Sequence, residues 1–120
     1  MNAIETYHKR AAFPEALQTL AATFQALAHP ARLAILLELA QRKACVCGDL
    51  VAHLPLAQAT VSRHLKELKE AGLVQGELEG SGKCYCLSPT GLALVAAAAA
   101  DLFAQLEAGA CHPEAPETCC

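Results

Sequence analysis

A change in hydrophobic period near the middle of the chain restricts the fold more than any other feature. From residue 58 to residue 71, the apolar side chains of Val61, Leu65 and Leu68 recur at helical spacing. Gly72 then suits the position just beyond a helix. Over residues 74–87, apolar and polar side chains alternate around a short glycine-containing turn. The chain is therefore predicted to place one β-hairpin directly after a helix.

Proline and capping residues mark the ends of four further helices. Their expected ranges are 14–27, 30 to about 43, about 47–53, and 89 to about 108. The predicted fold class is mainly α with one β-hairpin, in a single domain over residues 1–108. The polar, proline-bearing residues 109–120 are expected to form a flexible tail that carries cysteines.

The composition predicts a soluble protein with apolar surface left over for a partner subunit. Hydrophobic residues make up 54% of the 120 residues and aromatic residues only 4%, so alanine and leucine helices are expected to cover a partner subunit. The first residues lack the basic and apolar regions of a signal peptide. The longest apolar run, residues 92–100, is shorter than the ~20 residues of a membrane span. We expect a cytoplasmic protein without a membrane partner.

A short helix, a turn near Pro55 and a longer helix follow the order of a helix-turn-helix, whose second helix enters the major groove of DNA. The formal net charge of −3 disfavours nucleic acid, but residues 58–69 carry three Lys or Arg residues and one acid. With the apolar stripe facing the core, the outward side chains suit bases and phosphates. The candidate DNA-binding residues are Gln58, Thr60, Ser62, Arg63, Lys66 and Lys69, with Lys83 at the hairpin tip.

Seven cysteines in a chain expected in the cytosol indicate thiols, and an odd number cannot pair within one chain. Cys45 and Cys47 lie at the predicted start of the short helix, where a helix N-terminus favours the thiolate form that binds metals. Thiolates suit soft ions, and As(III) or Sb(III) takes three sulfurs. Cys45 and Cys47 are therefore the first candidates for an ion site.

Four segments resemble the ArsR/SmtB winged-helix metalloregulators. In order, they are LAHPARLAIL at residues 27–36, CVCGDL at 45–50, TVSRHLKEL at 60–68 and GLV at 72–74. The resemblance covers roughly residues 14–106. It implies a winged helix-turn-helix repressor that dimerises through its first and last helices and leaves a two-fold symmetric, double-stranded operator when an inducer binds. Ala57 departs from the serine frequent in the family before the recognition helix, so a weaker helix start is expected.

The Cys45-Val46-Cys47 segment resembles that of arsenite-responsive and cadmium- or lead-responsive members. The further cysteine that such arsenite-responsive relatives carry inside the short helix is absent here. The tail cysteines are candidate third ligands, from the same or the partner subunit. They are Cys111, Cys119 and Cys120. Cys84 and Cys86 are expected to share the outward face of one strand, about 6.6 Å apart, and no ligand role is expected for them.

The remaining features favour As(III) or Sb(III) as the inducer. The last helix carries Asp101 but no histidine, unlike that of zinc-sensing members, and residues 1–44 lack the cysteines that cadmium and lead sensors recruit. A Cd(II)- or Pb(II)-responsive repressor, a thiol redox switch and a plain helical interaction module remain alternatives. An enzyme is not expected, because the Cys-x-Cys motif lacks the βαβ context of thiol oxidoreductases.

Overall fold

The computed structural model describes residues 9–48, 54–78 and 82–111. Four complete helices and three short strands lie in these ranges. The elements are α1 (Glu15–Leu27), α2 (Pro30–Arg42), β1 (Val46–Cys47), α3 (Gln58–Glu70), β2 (Val74–Glu77), β3 (Cys84–Leu87) and α4 (Pro89–Ala108). The mainly helical class with a hairpin after α3 is confirmed, and the four helices begin and end close to the predicted residues.

The strands form one antiparallel sheet in the order β1-β3-β2, so the predicted hairpin carries an additional strand. Val46 of β1 pairs with Tyr85 of β3. The prediction that the segment 45–47 lies at the start of a helix is wrong, since its pairing with β3 satisfies the backbone and buries Val46. Residues 49–53, the rest of the expected short helix, lie outside the described residues.

The hydrophobic core lies where α2, α3 and the sheet meet. Among the described residues, its buried members are Ile35, Leu39, Val46, Val61, Leu65, Leu68, Leu73, Val74 and Tyr85. The apolar stripe predicted for α3 is thus buried as a unit. Because this face is fixed in the core, the opposite face of α3 is turned to solvent.

Arg32, near the start of α2, links three helices. Its Nη1 donates to the carbonyls of Gln25 and Ala26 at the end of α1, at 3.2 Å each. Its Nε donates to Nδ1 of His64 in α3, at 3.1 Å. The same guanidinium forms an ion pair with Glu67 of α3. One side chain therefore holds α3 against the corner at which α1 and α2 meet.

The N-terminus of α4 is fixed to the end of α3. Gly72 follows α3 with φ of +83°, a left-handed conformation that glycine adopts without steric cost. As predicted, Ser88 caps α4: its Oγ accepts a hydrogen bond from the Gly91 N–H at 3.1 Å. A Cβ on Gly91 would overlap the carbonyl of Gly72. This close approach sets the direction in which α4 leaves the hairpin.

The surface of α4 is largely uncovered in a single chain. None of its 20 residues is buried, and Leu94, Phe103 and Leu106 are each more than half exposed. By length and composition alone, α4 is long and apolar enough to cross a membrane, and α1 with α2 passes the same test across an 86° bend. Helices of this composition also occur inside soluble proteins. An uncovered apolar helix equally fits a subunit interface.

Candidate DNA-reading surface and thiol site

The solvent-facing side of α3 carries the predicted DNA-binding residues. Its buried side consists of Val61, His64, Leu65 and Leu68. The other side has exposed side chains at Gln58, Ser62, Arg63, Lys66 and Lys69, with Thr60 half-buried. The division follows from helical geometry, because residues three or four apart share a face. The structure therefore places these polar and basic side chains together on one surface.

An open cleft of about 800 Å³ runs between α3 and the hairpin. Four basic residues and two acidic ones line it, together with a serine and a leucine. The lining residues are Ser62, Arg63, Lys66, Lys69, Glu70, Glu77, Leu78 and Lys83. Lys83, predicted at the hairpin tip, thus shares a surface with the basic residues of α3. A cleft with this excess of cations suits a polyanion such as a nucleic acid backbone.

A hydrogen bond joins the two walls of this cleft. Lys69 Nζ, near the C-terminal end of α3, donates to the carbonyl of Gly76 in β2 at 2.6 Å. Gly76 has φ of +115°, and a Cβ there would overlap the backbone of β3 at Cys84. The two strands of the hairpin are therefore closely packed at Gly76, and a direct hydrogen bond connects the hairpin to α3.

The start of α3 lacks a side-chain cap, as expected from Ala57. Its N-cap position is extended, with φ of −70° and ψ of 149°, and makes no side-chain hydrogen bond. The Thr60 N–H of this first turn donates instead to the Ala57 carbonyl, at 3.0 Å.

His64 lies on the buried side of α3, next to Arg63 in sequence. Burial lowers the pKa of His64 below its ordinary value of 6.5, and the nearby His29, Arg32 and Arg63 lower it further. The hydrogen bond from Arg32 Nε to Nδ1 requires that this nitrogen carry no proton. His64 is therefore a neutral side chain beneath the DNA-reading face.

Four cysteines lie on one face of the sheet, where β1 meets β3. Cys47 stands opposite Cys84, with Cα atoms 4.1 Å apart, and Cys45 stands opposite Cys86, with Cα atoms 4.3 Å apart. Each opposed pair is joined by a disulfide. The separations match the closer class of antiparallel positions, about 4.5 Å, in which side chains are nearest.

Other groups surround this thiol site. Tyr85 Oη donates to the carbonyl of Gly48 at 3.1 Å, which fixes the end of β1 to β3. Gln75 Nε2 of β2 lies 3.8 Å from the Cys86 sulfur. A small cleft of about 280 Å³ exposes Cys45 and Cys86 together with Lys43. With the sulfurs joined in pairs, the part of the chain that the structure describes contains no group of three or more His, Cys, Asp or Glu side chains arranged to hold a metal ion.

The structure brings the predicted Cys45 and Cys47 together with Cys84 and Cys86, for which no role was expected. As predicted, Cys84 and Cys86 share the face of β3 opposite the buried Tyr85; both are half-buried, and the small cleft reaches Cys86. The missed signal was the repetition of one pattern, since a Cys-apolar-Cys triplet in each of two strands predicts a four-cysteine face once the strands pair.

The tail cysteines lie apart from this site or outside the described residues. Cys111 is exposed and follows the C-terminal end of α4. Cys119 and Cys120 lie outside the described residues. Because α4 begins just after β3 and is 20 residues long, its far end lies about 30 Å away along the helix axis.

Comparison with known proteins relates the chain to bacterial regulators. The family model described as bacterial regulatory protein, arsR family, matches residues 29–75. The HTH-type transcriptional repressor SmtB of Mycobacterium tuberculosis is 43% identical over 79 residues, which are 66% of this chain but only 58% of SmtB. The arsenical resistance operon repressor of Bacillus subtilis is 41% identical over 75 residues, 62% of this chain and 70% of that protein.

Solved structures agree with the sequence matches. An ArsR-like transcriptional regulator from Rhodococcus sp. RHA1 superposes with a TM-score of 0.59 and 26% identity, covering 74% of this chain and 83% of that one. A possible transcriptional regulator for arsenical resistance gives a TM-score of 0.58 and 29% identity, covering 75% and 97%. With the helix-hairpin arrangement and these relatives together, the chain belongs to the ArsR family of bacterial regulatory proteins, with a winged helix-turn-helix fold.

Proposed function

We propose that the protein is a transcriptional repressor that binds a palindromic operator as a homodimer and leaves it when As(III) or Sb(III) binds its cysteine thiolates. The observation that carries the proposal is the pairing of β1 with β3. The predicted ligands Cys45 and Cys47 lie on a strand paired with the hairpin that lines the basic cleft. An ion bound at these cysteines would therefore act on the surface that reads DNA.

The exposed face of α3 supplies the contacts to operator DNA. At its N-terminal half, Gln58 and Arg63 have the geometry for bidentate contacts to adenine and guanine, and the hydroxyls of Thr60 and Ser62 suit either base. Lys66 and Lys69, further along the helix, bind phosphates, as does Lys83 on the hairpin side. The partner that this surface fits is thus double-stranded DNA, contacted in its major groove.

A second copy of the chain covers the apolar surface of α1 and α4. Leu17 of α1 and Phe13 just before it are each at least half exposed, as are three large apolar residues of α4. A two-fold axis through these helices would present two α3 helices to the same side of a duplex. The symmetry of the dimer then matches that of a palindromic operator.

The experiment that tests the proposal measures release of operator DNA by arsenite. The fully reduced protein selects its duplex from random-sequence DNA, and arsenite is titrated with a phosphine as reductant, because dithiols would compete for the metalloid. We expect Cys45→Ser and Cys47→Ser to bind the duplex as the unmodified chain does and to lose release by arsenite.

Two outcomes contradict parts of the proposal. If the Cys45→Ser/Cys47→Ser double variant is still released normally, the tail holds the inducer, and truncation after residue 109 should then abolish release. If the reduced protein binds no duplex tightly at low salt, the DNA-reading role of α3 is wrong.

A thiol redox switch is the second candidate, and the two disulfides between β1 and β3 favour it. In this reaction two cysteine thiols reduce one disulfide oxidant such as oxidised glutathione. One protein disulfide and two glutathione thiols result, with both protons retained on the leaving thiols. Arsenite separates the candidates, because release in the presence of reductant excludes an obligatory disulfide.

A further inference from the structure

We infer that β3, the second strand of the hairpin (the wing), completes the inducer site: Cys84 and Cys86 of β3, together with Cys47 of β1 and Cys45 just before it, form a four-thiol face in which a soft ion is bound across the two strands. This inference rests on the proposed function and supplies the sulfur that the Cys45-Val46-Cys47 segment lacks. As(III) or Sb(III) takes three of the thiolates, and a tetrahedral soft cation such as Cd(II) would take all four.

The number of sulfurs shows why the Cys45-Val46-Cys47 segment alone does not complete the site, since it offers two cysteines and As(III) takes three. Cys45 and Cys47 are two residues apart along an extended segment, so their Cα atoms lie about 6.6 Å apart. Each has a closer cysteine across the ladder, at 4.3 Å and 4.1 Å. A three-sulfur site therefore consists of one opposed pair and one cysteine of the neighbouring pair. Every such choice includes at least one cysteine of β3.

The paired strands already hold the four cysteines on one face of the sheet. The backbone already places the sulfurs of each pair within bonding distance, and the same four groups need only be reduced to become separate ligands. All four lie on the face opposite the buried Val46 and Tyr85. An ion bound there displaces no core side chain.

The cleft beside Cys45 and Cys86 gives the ion a route from solvent. Lys43 lines this cleft together with Cys45 and Cys86. Gln75 lies next to the Cys86 sulfur and can donate a hydrogen bond to it when it is a thiolate ligand. The site thus has a lysine and a glutamine side chain beside its cysteines.

Cys111 is poorly placed to provide the third sulfur within the same chain. Cys111 lies beyond the far end of α4, about 30 Å along the helix from the end of β3. The wing cysteines, in contrast, are directly opposite β1.

Binding across the strands connects the ion to the DNA-reading surface. Lys83 precedes Cys84 and lines the basic cleft, and the Lys83 carbonyl accepts a hydrogen bond from the Gly48 N–H at 3.2 Å. Drawing one opposed pair toward a neighbouring sulfur would shift β3 along β1. The hairpin would then move relative to α3, to which Lys69 ties it.

The test compares the Cys84→Ser/Cys86→Ser double variant with Cys111→Ser, both as full-length, reduced protein with arsenite and a phosphine. X-ray absorption counts the sulfurs around arsenic, and fluorescence anisotropy follows release of the selected duplex. We expect three sulfurs in the unmodified chain and in Cys111→Ser. In the Cys84→Ser/Cys86→Ser variant, called the wing variant below, we expect at most two sulfurs around arsenic. Release of the duplex from this variant should require at least about tenfold more arsenite. Circular dichroism and operator affinity without arsenite establish that the wing variant is folded.

The outcomes distinguish this inference from the proposed function. If arsenite releases the wing variant as readily as the unmodified chain, with three sulfurs retained, the wing assignment is overturned and the metalloid-responsive repressor stands. If the unmodified chain binds arsenite at three sulfurs including the wing, yet keeps its DNA, the site stands and the proposed inducer response fails. If it binds no arsenite and no Cd(II), both are wrong.

Discussion

Single residues beneath and on α3 determine how this helix is held and which side chains it presents to solvent. Arg32 donates hydrogen bonds to two carbonyl groups at the C-terminal end of α1 and to His64. Two nitrogens of its mostly buried guanidinium therefore have hydrogen-bond partners. His64 packs on the buried side of α3, whereas its sequence neighbour Arg63 is exposed to solvent. Of these adjacent residues, His64 thus serves packing, and Arg63 is free to contact bases as we propose.

His64 predicts a pH dependence of stability. Its pKa is lowered in the folded state, chiefly by burial, so the unfolded chain takes up a proton first as the pH falls below 6.5. The free energy of unfolding should therefore decrease between this pH and the lower folded pKa, by at most about 1.4 kcal/mol per pH unit. Urea unfolding at several pH values, compared with His64→Gln, measures the contribution; an equal slope in both proteins would contradict it.

Arg63 predicts a loss of operator affinity. Arg63→Ala should weaken binding by about 1–3 kcal/mol and relax base preference at one position, because a bidentate contact to guanine is lost. Anisotropy with the selected duplex and its single-base variants measures both effects. Arg42→Ala is the matched control, since this arginine pairs with Glu38 on α2, outside the cleft. Similar losses in the two variants would indicate general electrostatics instead.

At the scale of elements, the sequence predicted the helices and the hairpin because local signals determine them. Val61, Leu65 and Leu68 fix the face of α3, and Ser88-Pro89 fixes the start of α4. The sequence did not predict β1, since a two-residue strand exists only through its pairing with β3, nearly 40 residues later. The thiol site depends on that pairing, so half of its cysteines were missed.

The junction of α3 and α4 predicts a large effect of a small change. Gly91→Ala places a methyl group on the Gly72 carbonyl, and we expect destabilisation of about 1–3 kcal/mol as the helix shifts. Urea unfolding gives the value. Gly109→Ala is the control, because its Cβ would make only ordinary contacts, 3.7 Å or more away, at a permitted φ of −93°. Equal stabilities of the two variants would refute the close approach.

At the scale of the whole molecule, α4 carries apolar side chains that a single chain leaves exposed. Phe103 is 55% exposed and Leu106 is 56% exposed in the single chain, and exposing such side chains in water is unfavourable. A cytoplasmic homodimer that covers them is the state that our proposal requires. The family assignment accords with a regulator of transcription.

Phe103→Glu predicts loss of the dimer. Burying a carboxylate in an apolar interface without a partner is strongly unfavourable, so sedimentation equilibrium should give the mass of a single chain. Operator binding should weaken with it, since two half-sites are no longer joined. Leu37→Glu on α2 is the control, because this residue is 65% exposed but lies outside the proposed interface. Retention of the dimer by Phe103→Glu would place the interface elsewhere.

The opposed cysteines are far apart in the chain, by 41 and 37 positions, and the segment between them contains all of α3 and β2. Any bond formed across them closes a ring that contains α3 and β2 complete. A ring of this size removes about 4 kcal/mol of conformational freedom from the denatured chain. The melting temperature in the absence of nucleic acid should consequently report whether the ring is open or closed, and so give a direct assay for the state of the opposed cysteines.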